Sequence, residues 1–103
     1  MKKLTIGLSI WLGISALPTE AASIYAGQMK AAAVCAQCHG IKEPSAGAPF
    51  PPLAGRDAAY LTSALKQYRD KTRVSEIMNN IAGSLSDRDI ANIVAYYSGL
   101  KNR

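Results

Sequence analysis

The chain has 103 residues, with twelve lysines and arginines against seven aspartates and glutamates, a formal charge of +5 and a single histidine. That length holds one domain. The positive excess is modest and forms no run: Lys66, Arg69, Lys71 and Arg73 cluster loosely around Asp70. This reads as a solvated helix face, not as the dense basic stripe with readout residues that nucleic-acid binding requires.

The first segment reads as an export signal. Met1-Lys2-Lys3 is a basic start, LTIGLSIWLGISAL (4–17) is an uncharged apolar run, and Pro18 with the small-residue stretch TEAAS follows. That order is the pattern of a cleavable secretory leader. The run of 14 residues is shorter than the roughly 20 that cross a bilayer as a helix. An uncleaved anchor is the alternative. The small-residue stretch offers cleavage after Ala21, Ala22 or Ser23, with no perfect A-x-A among them; residues 1–22 are expected to be signal peptide and 23–103 the exported, periplasmic domain. No cysteine lies near the cut, which argues against a lipid anchor, and no stable membrane insertion is expected after cleavage. The remainder keeps ten basic and six acidic side chains, a balance suited to steering onto an acidic protein face.

In chain order, SIYAGQMKAAAVCAQ (23–37) is alanine-rich and free of proline, which predicts a helix. Gly27 inside it implies close packing. GIKEPSAGAPFPPLAG (40–55) holds four of the five prolines and three glycines; a helix cannot run through it. Helix signals return at Asp57, a suitable N-cap, with Leu61, Leu65 and Tyr68 on one face. A short helix is predicted near Glu76 to Ile81. In the last helix, Ser86 to Asp89 approximates a capping box with Asp in place of Glu, and Ile90, Ile93, Val94 and Tyr97 form one apolar face. No alternating strand pattern occurs. The fold class is all-α.

About 80 exported residues lie at the size where a hydrophobic core alone is marginal and a staple is usual. VCAQCHG (34–40) holds both cysteines and the one histidine. A disulfide across a two-residue gap would close almost no loop and constrain the unfolded chain little. A thioredoxin-like redox motif belongs beside strands, which this sequence lacks. Zinc wants four ligands, and Cys35, Cys38 and His39 supply three, two of them adjacent. Free thiols left beside a histidine would be exposed to oxidation outside the cytoplasm. The remaining reading is C-x-x-C-H, the attachment motif for c-type haem. Two thiols three residues apart near a helix end can reach both vinyl groups of one porphyrin, and the next histidine then lies under the iron.

Together, CAQCHG (35–40), FPPLAGRDAAYL (50–61), the stretch around Met78 and LSDRDIANIVAYYSGL (85–100) make the sequence resemble a class I cytochrome c from Tyr25 to Leu100. The likeness is to the small bacterial domains found singly in cytochrome c-553 types and twice in dihaem cytochromes c4. The resemblance implies a class I cytochrome c fold, three to four short helices around one covalent haem c. It implies that Cys35 and Cys38 carry the thioethers and His39 is the proximal iron ligand. The Pro51 carbonyl should accept from the other imidazole nitrogen, and Leu53 should touch the haem face. Met78 is the expected sixth ligand; Met29 lies on the first helix, ahead of the motif. Gly27 should sit where the first and last helices cross, against Tyr96 or Tyr97.

The function so implied is one-electron transfer between respiratory or dehydrogenase partners, with no catalytic residue and no substrate turnover; the chain is not expected to be an enzyme. Partners should be redox proteins with acidic docking faces, and not nucleic acid. Two alternatives are a haem subunit of a larger oxidoreductase complex and, if Met78 does not bind, a five-coordinate haem protein that takes a small gas or peroxide.

Overall fold

The computed structural model describes residues 22–44 and 46–100. All but the last residue of the expected signal segment lies outside them. Helix α1 (Ile24–Lys30) runs without a break into a π-helical segment (Ala31–Cys35) and then α2 (Ala36–His39). Three more helices follow: α3 (Ala58–Asp70), α4 (Glu76–Gly83) and α5 (Asp87–Gly99). The described residues contain no strand.

Local chemistry sets each boundary. Ser23 caps α1, its Oγ accepting the Ala26 amide at 3.0 Å. In the π-helical segment the Ala36 amide reaches back to the Ala31 carbonyl, five residues away, where an α-helix would bond across four. The first helix was expected to end near Gln37, yet it continues to His39 because the chain turns only at Gly40, with φ of 70°. A side chain disfavours that left-handed region. Asp57 caps α3 through the Tyr60 amide at 2.9 Å, and Lys71 ends it in the left-handed conformation. Ser75 caps α4 through the Met78 amide; this helix starts where expected and extends past Ile81 to Gly83. At α5 both capping-box bonds are made at 3.0 Å, Asp89 serving where Glu is usual.

The protein-built core lies where α1 crosses α5. Ile90, Ile93, Val94, Tyr96 and Tyr97 are buried with Ala31 in one cluster. Gly27 is buried at the crossing. A methyl group added there would overlap the Asn92 carbonyl oxygen and lie 3.0 Å from Tyr96 Cβ. The expected aromatic neighbour is therefore present as Tyr96, but the backbone of Asn92 makes the tighter approach. Arg69 and Arg73 also depart from a purely solvated face. Arg69 binds Asp87 at 2.7 Å and the Leu85 carbonyl at 3.2 Å, tying α3 to the start of α5. Arg73 bonds the Gln67 side chain at 3.1 Å.

Candidate cofactor site

Opposite the α1–α5 crossing the helices do not close. They surround a cavity of about 330 Å³, within the size range of small-molecule and cofactor pockets (about 300–1,000 Å³). Every residue singled out as a site candidate from sequence lines it: Cys35, Cys38, His39, Pro51, Leu53 and Met78. The helix end and proline-rich loop supply five of these, and α4 supplies Met78. Leu61 and Leu65 of α3 and Ile93, Val94 and Tyr97 of α5 complete apolar walls.

Cys35 and Cys38 are not joined to each other. Burial pushes the Cys35 thiol up to about 11, with nearby Lys30 opposing the shift. The shift runs opposite to that of the low-pKa cysteines of redox enzymes. Next to it, burial first and then Cys35 and Tyr96 raise the Tyr97 phenol far above its ordinary value. That phenol stays protonated and donates to the Gly40 carbonyl at 2.9 Å. Because the Gly55 amide bonds the Tyr97 carbonyl at 2.8 Å, one residue of α5 holds both ends of the loop from Gly40 to Gly55.

The imidazole is fixed by the same loop. His39 Nδ1 lies 2.7 Å from the Pro51 carbonyl oxygen. A carbonyl can only accept, so Nδ1 carries a proton, and in the neutral ring that leaves the lone pair on Nε2. This is the arrangement in which histidine serves as a metal ligand, its ring aimed by the bond on the opposite nitrogen. Phe50 packs edge-on against the ring, with centroids 6.0 Å apart.

Met78 is held with equal care. Its amide donates to Ser75 Oγ at 3.2 Å. Asn79, the next residue, donates to the Tyr68 and Arg73 carbonyls at 2.8 and 2.9 Å, and its Oδ1 accepts the Ser75 amide at 3.0 Å. One amide side chain thus pins the turn before α4 to the end of α3.

Asn79, Arg56 and Tyr60 were not singled out from sequence, and Tyr68 was read only as part of a helix face. Arg56 is the charged side chain in the cavity lining, where Tyr60 and Tyr68 also lie. Its guanidinium stands 5.2 Å from the Tyr60 ring centre, and that of Arg73 stands 6.0 Å from Tyr60 and 5.5 Å from Tyr68. The available signal was an arginine just before the α3 cap with a tyrosine in the first turn of the helix.

The donor set fits haem c. Two thiols, an imidazole with a free Nε2 and a thioether border one apolar cavity whose cationic feature is Arg56, suited to the porphyrin's carboxylates. Comparison with known proteins agrees. A family model described as cytochrome c oxidase, cbb3-type, subunit III matches residues 22–96. The chain belongs to the class I cytochrome c domain family. Its cofactor is haem c, and Cys35 and Cys38 fit its covalent attachment.

This cytochrome domain is 39% identical over 101 residues to cytochrome c4 of Pseudomonas aeruginosa, a match covering 98% of the chain and 50% of that protein. It is 43% identical over 67 residues to cytochrome c-554(548) of Halomonas halodenitrificans, covering 62% and 81% respectively. A solved structure of Acidithiobacillus ferrooxidans cytochrome c4 superposes with a TM-score of 0.60 at 34% identity, covering 64% of this chain and 38% of that one. The fold is that of a class I cytochrome c. The chain spans about half the length of the cytochrome c4 proteins it matches. Among the described residues no helix is long and apolar enough to cross a membrane.

Proposed function

We propose that this cytochrome is a periplasmic one-electron carrier whose haem is ligated by His39 and Met78 and which exchanges electrons with acidic redox proteins. Bound haem supplies the Fe(II)/Fe(III) couple. The observation that carries the reading is the shared cavity: Cys35, Cys38 and His39 line it from the helix end, and Met78 lines it from α4. Cys35 and Cys38 would hold the porphyrin edge. His39 would offer Nε2 to the iron while the Pro51 carbonyl holds the opposite ring nitrogen. Met78 would offer a soft thioether, a ligand type that favours reduced iron and raises the potential relative to a second imidazole. Were His39 and Met78 both to bind the iron, no position would be left for oxygen or peroxide, and the domain would pass electrons without turning over a substrate.

Leu53 and the aliphatic walls of α3 and α5 would keep water from a bound porphyrin, and Arg56 would answer the charge of its carboxylates. The leader, cut somewhere between Ala21 and Ile24, would deliver the chain across the inner membrane, leaving a modestly basic domain that is steered toward acidic partners.

A second reading keeps this chemistry but places the chain as a subunit of a larger oxidoreductase, and the description of the matching family model favours it. Optical spectra of the holoprotein test the ligation. A weak far-red methionine–iron band when oxidised, and no reaction with carbon monoxide when reduced, are expected. A reduced form that binds carbon monoxide would mean an open, five-coordinate iron. Purification from native membranes and periplasm separates the free carrier from the complex subunit.

A further inference from the structure

The first residue with a structural task is Ser23. Its Oγ accepts the Ala26 amide at 3.0 Å, its carbonyl accepts the Gly27 amide at 3.0 Å, and its own amide donates to Asn92 Oδ1 at 2.8 Å. Asn92 is only 8% exposed and is the polar side chain buried in the core. Its carbonyl face is turned to the start of the chain, directly beside the Gly27 crossing. Ala22, one residue earlier, is exposed.

These contacts bear on how the leader is removed. Signal processing requires small residues at the first and third positions before the cut. Two bonds in TEAAS meet that rule: after Ser23, with Ala21 in the third position, and after Ala21, with Thr19 there. A cut after Ala22 would put the charged Glu20 in the third position. Sequence alone does not separate the first two. The fold does. Removing Ser23 would take away the N-cap of α1 and leave a buried amide oxygen without its donor, a costly change in a domain this small. A cut after Ala22 would also turn the Ser23 amide into an ammonium at the positive end of the helix dipole.

We infer that the processing site is the Ala21–Ala22 bond, so that the mature chain begins one residue ahead of the Ser23 clasp. This rests on the export reading proposed above. A signal peptidase would hydrolyse that amide, water supplying the elements of a new Ala21 carboxylate and a new Ala22 ammonium. Ala22 then acts as a spacer that keeps the new charge off the amide that Asn92 requires.

Intact-mass analysis of denatured holoprotein from the periplasm tests the bond. The expected mass is residues 22–103 plus one haem. A chain starting at Ser23 or Ile24 would overturn the assignment while leaving export intact; a chain retaining Met1 would overturn both. A second measurement isolates the clasp. Holoprotein exported behind an unrelated leader so as to start at Ile24 should melt about 4–8 °C below the form starting at Ala22. Asn92→Ala in the longer form should reproduce part of that loss. Equal melting of the two forms would remove the structural argument.

Discussion

The two sides of this small molecule are built on opposite plans. Where α1 crosses α5 the protein fills its own interior: Gly27 lets two backbones touch, Ala31 is fully buried, and Ile90 and Tyr97 are almost completely covered. Between the proline-rich loop, α3 and α4 the same chain encloses a cavity lined by Leu53, Leu65, Met78 and Ile81, and Val74 and Ile77 stay largely exposed. One side is a finished core. The other is a mould whose apolar surface is covered only when the porphyrin is in place. The contrast suggests a way for about 80 residues to fold: the cofactor would complete the interior, and its binding free energy would become folding free energy.

The largest effect should come from denying the second side its filling. Cys35→Ala/Cys38→Ala protein should lack covalent haem and lose its cooperative melt by far-UV circular dichroism; a stable helical fold without haem would erase the distinction drawn above. Met78→Ala acts on the same side but leaves the thioethers. Its far-red band should vanish and the reduced protein should bind carbon monoxide, with only a moderate loss in melting temperature. Gly27→Val attacks the finished side instead. The added side chain overlaps the Asn92 carbonyl, an overpacking expected to cost about 3 kcal/mol and so lower the melting temperature by more than about 12 °C, while the visible spectrum keeps its His–Met character.

Smaller effects sharpen the boundary between the sides. Asn79→Ala removes three hydrogen bonds from the turn that carries Met78 and leaves the carbonyls of Tyr68 and Arg73 to find water. It should cost about 1–3 kcal/mol and broaden the methionine–iron band; a band of unchanged shape would make the clasp merely structural. The smallest effect is acid dependence at the α5 cap. The Ser86 amide chiefly holds the Asp89 carboxyl below its ordinary range, and the Arg69 guanidinium does the same for Asp87. Lowered folded values mean stability that is present above the unfolded carboxylate range, near pH 3.9, and lost as pH falls through the folded values. The melting-temperature gap between wild type and Asp89→Asn should therefore be constant above about pH 5 and close toward pH 3.

Sequence made the finished side easier to read than the mould. Helix starts carry local signals, and Ser23, Asp57 and Ser86 each cap through their own side chain. The last helix showed its buried face by spacing alone. Cys35, Cys38 and His39 were legible because three rare residues lay within five positions, and Pro51 and Met78 because the motif order resembles a known family. What stayed hidden was tertiary. Nothing near Asn79 announces that its amide spans to α3, and Tyr68 reads equally well as core or as cavity wall. Arg69 and Arg73 looked like solvent-facing charge because their partners, Asp87 and the two tyrosines, lie 18 residues away in one case and across a turn in the other.

The wide turn at Ala31–Cys35 has a consequence for how this chain can change. One continuous helix must present Gly27 and Ala31 to α5 and Cys35, Cys38 and His39 to the cavity, and the wide turn between them sets the angle from one surface to the other. Deleting one residue of an ordinary helix rotates everything beyond it by about 100°. Ala32 and Ala33 are exposed, so almost any helix-forming side chain could replace them. Their number is freer than in an ordinary helix in one direction: a protein lacking Ala32 could close the wide turn as a four-residue one and keep both surfaces, whereas an inserted residue should turn the thiols away, with less haem attached. The run is permissive in spelling and tolerant of one loss in length.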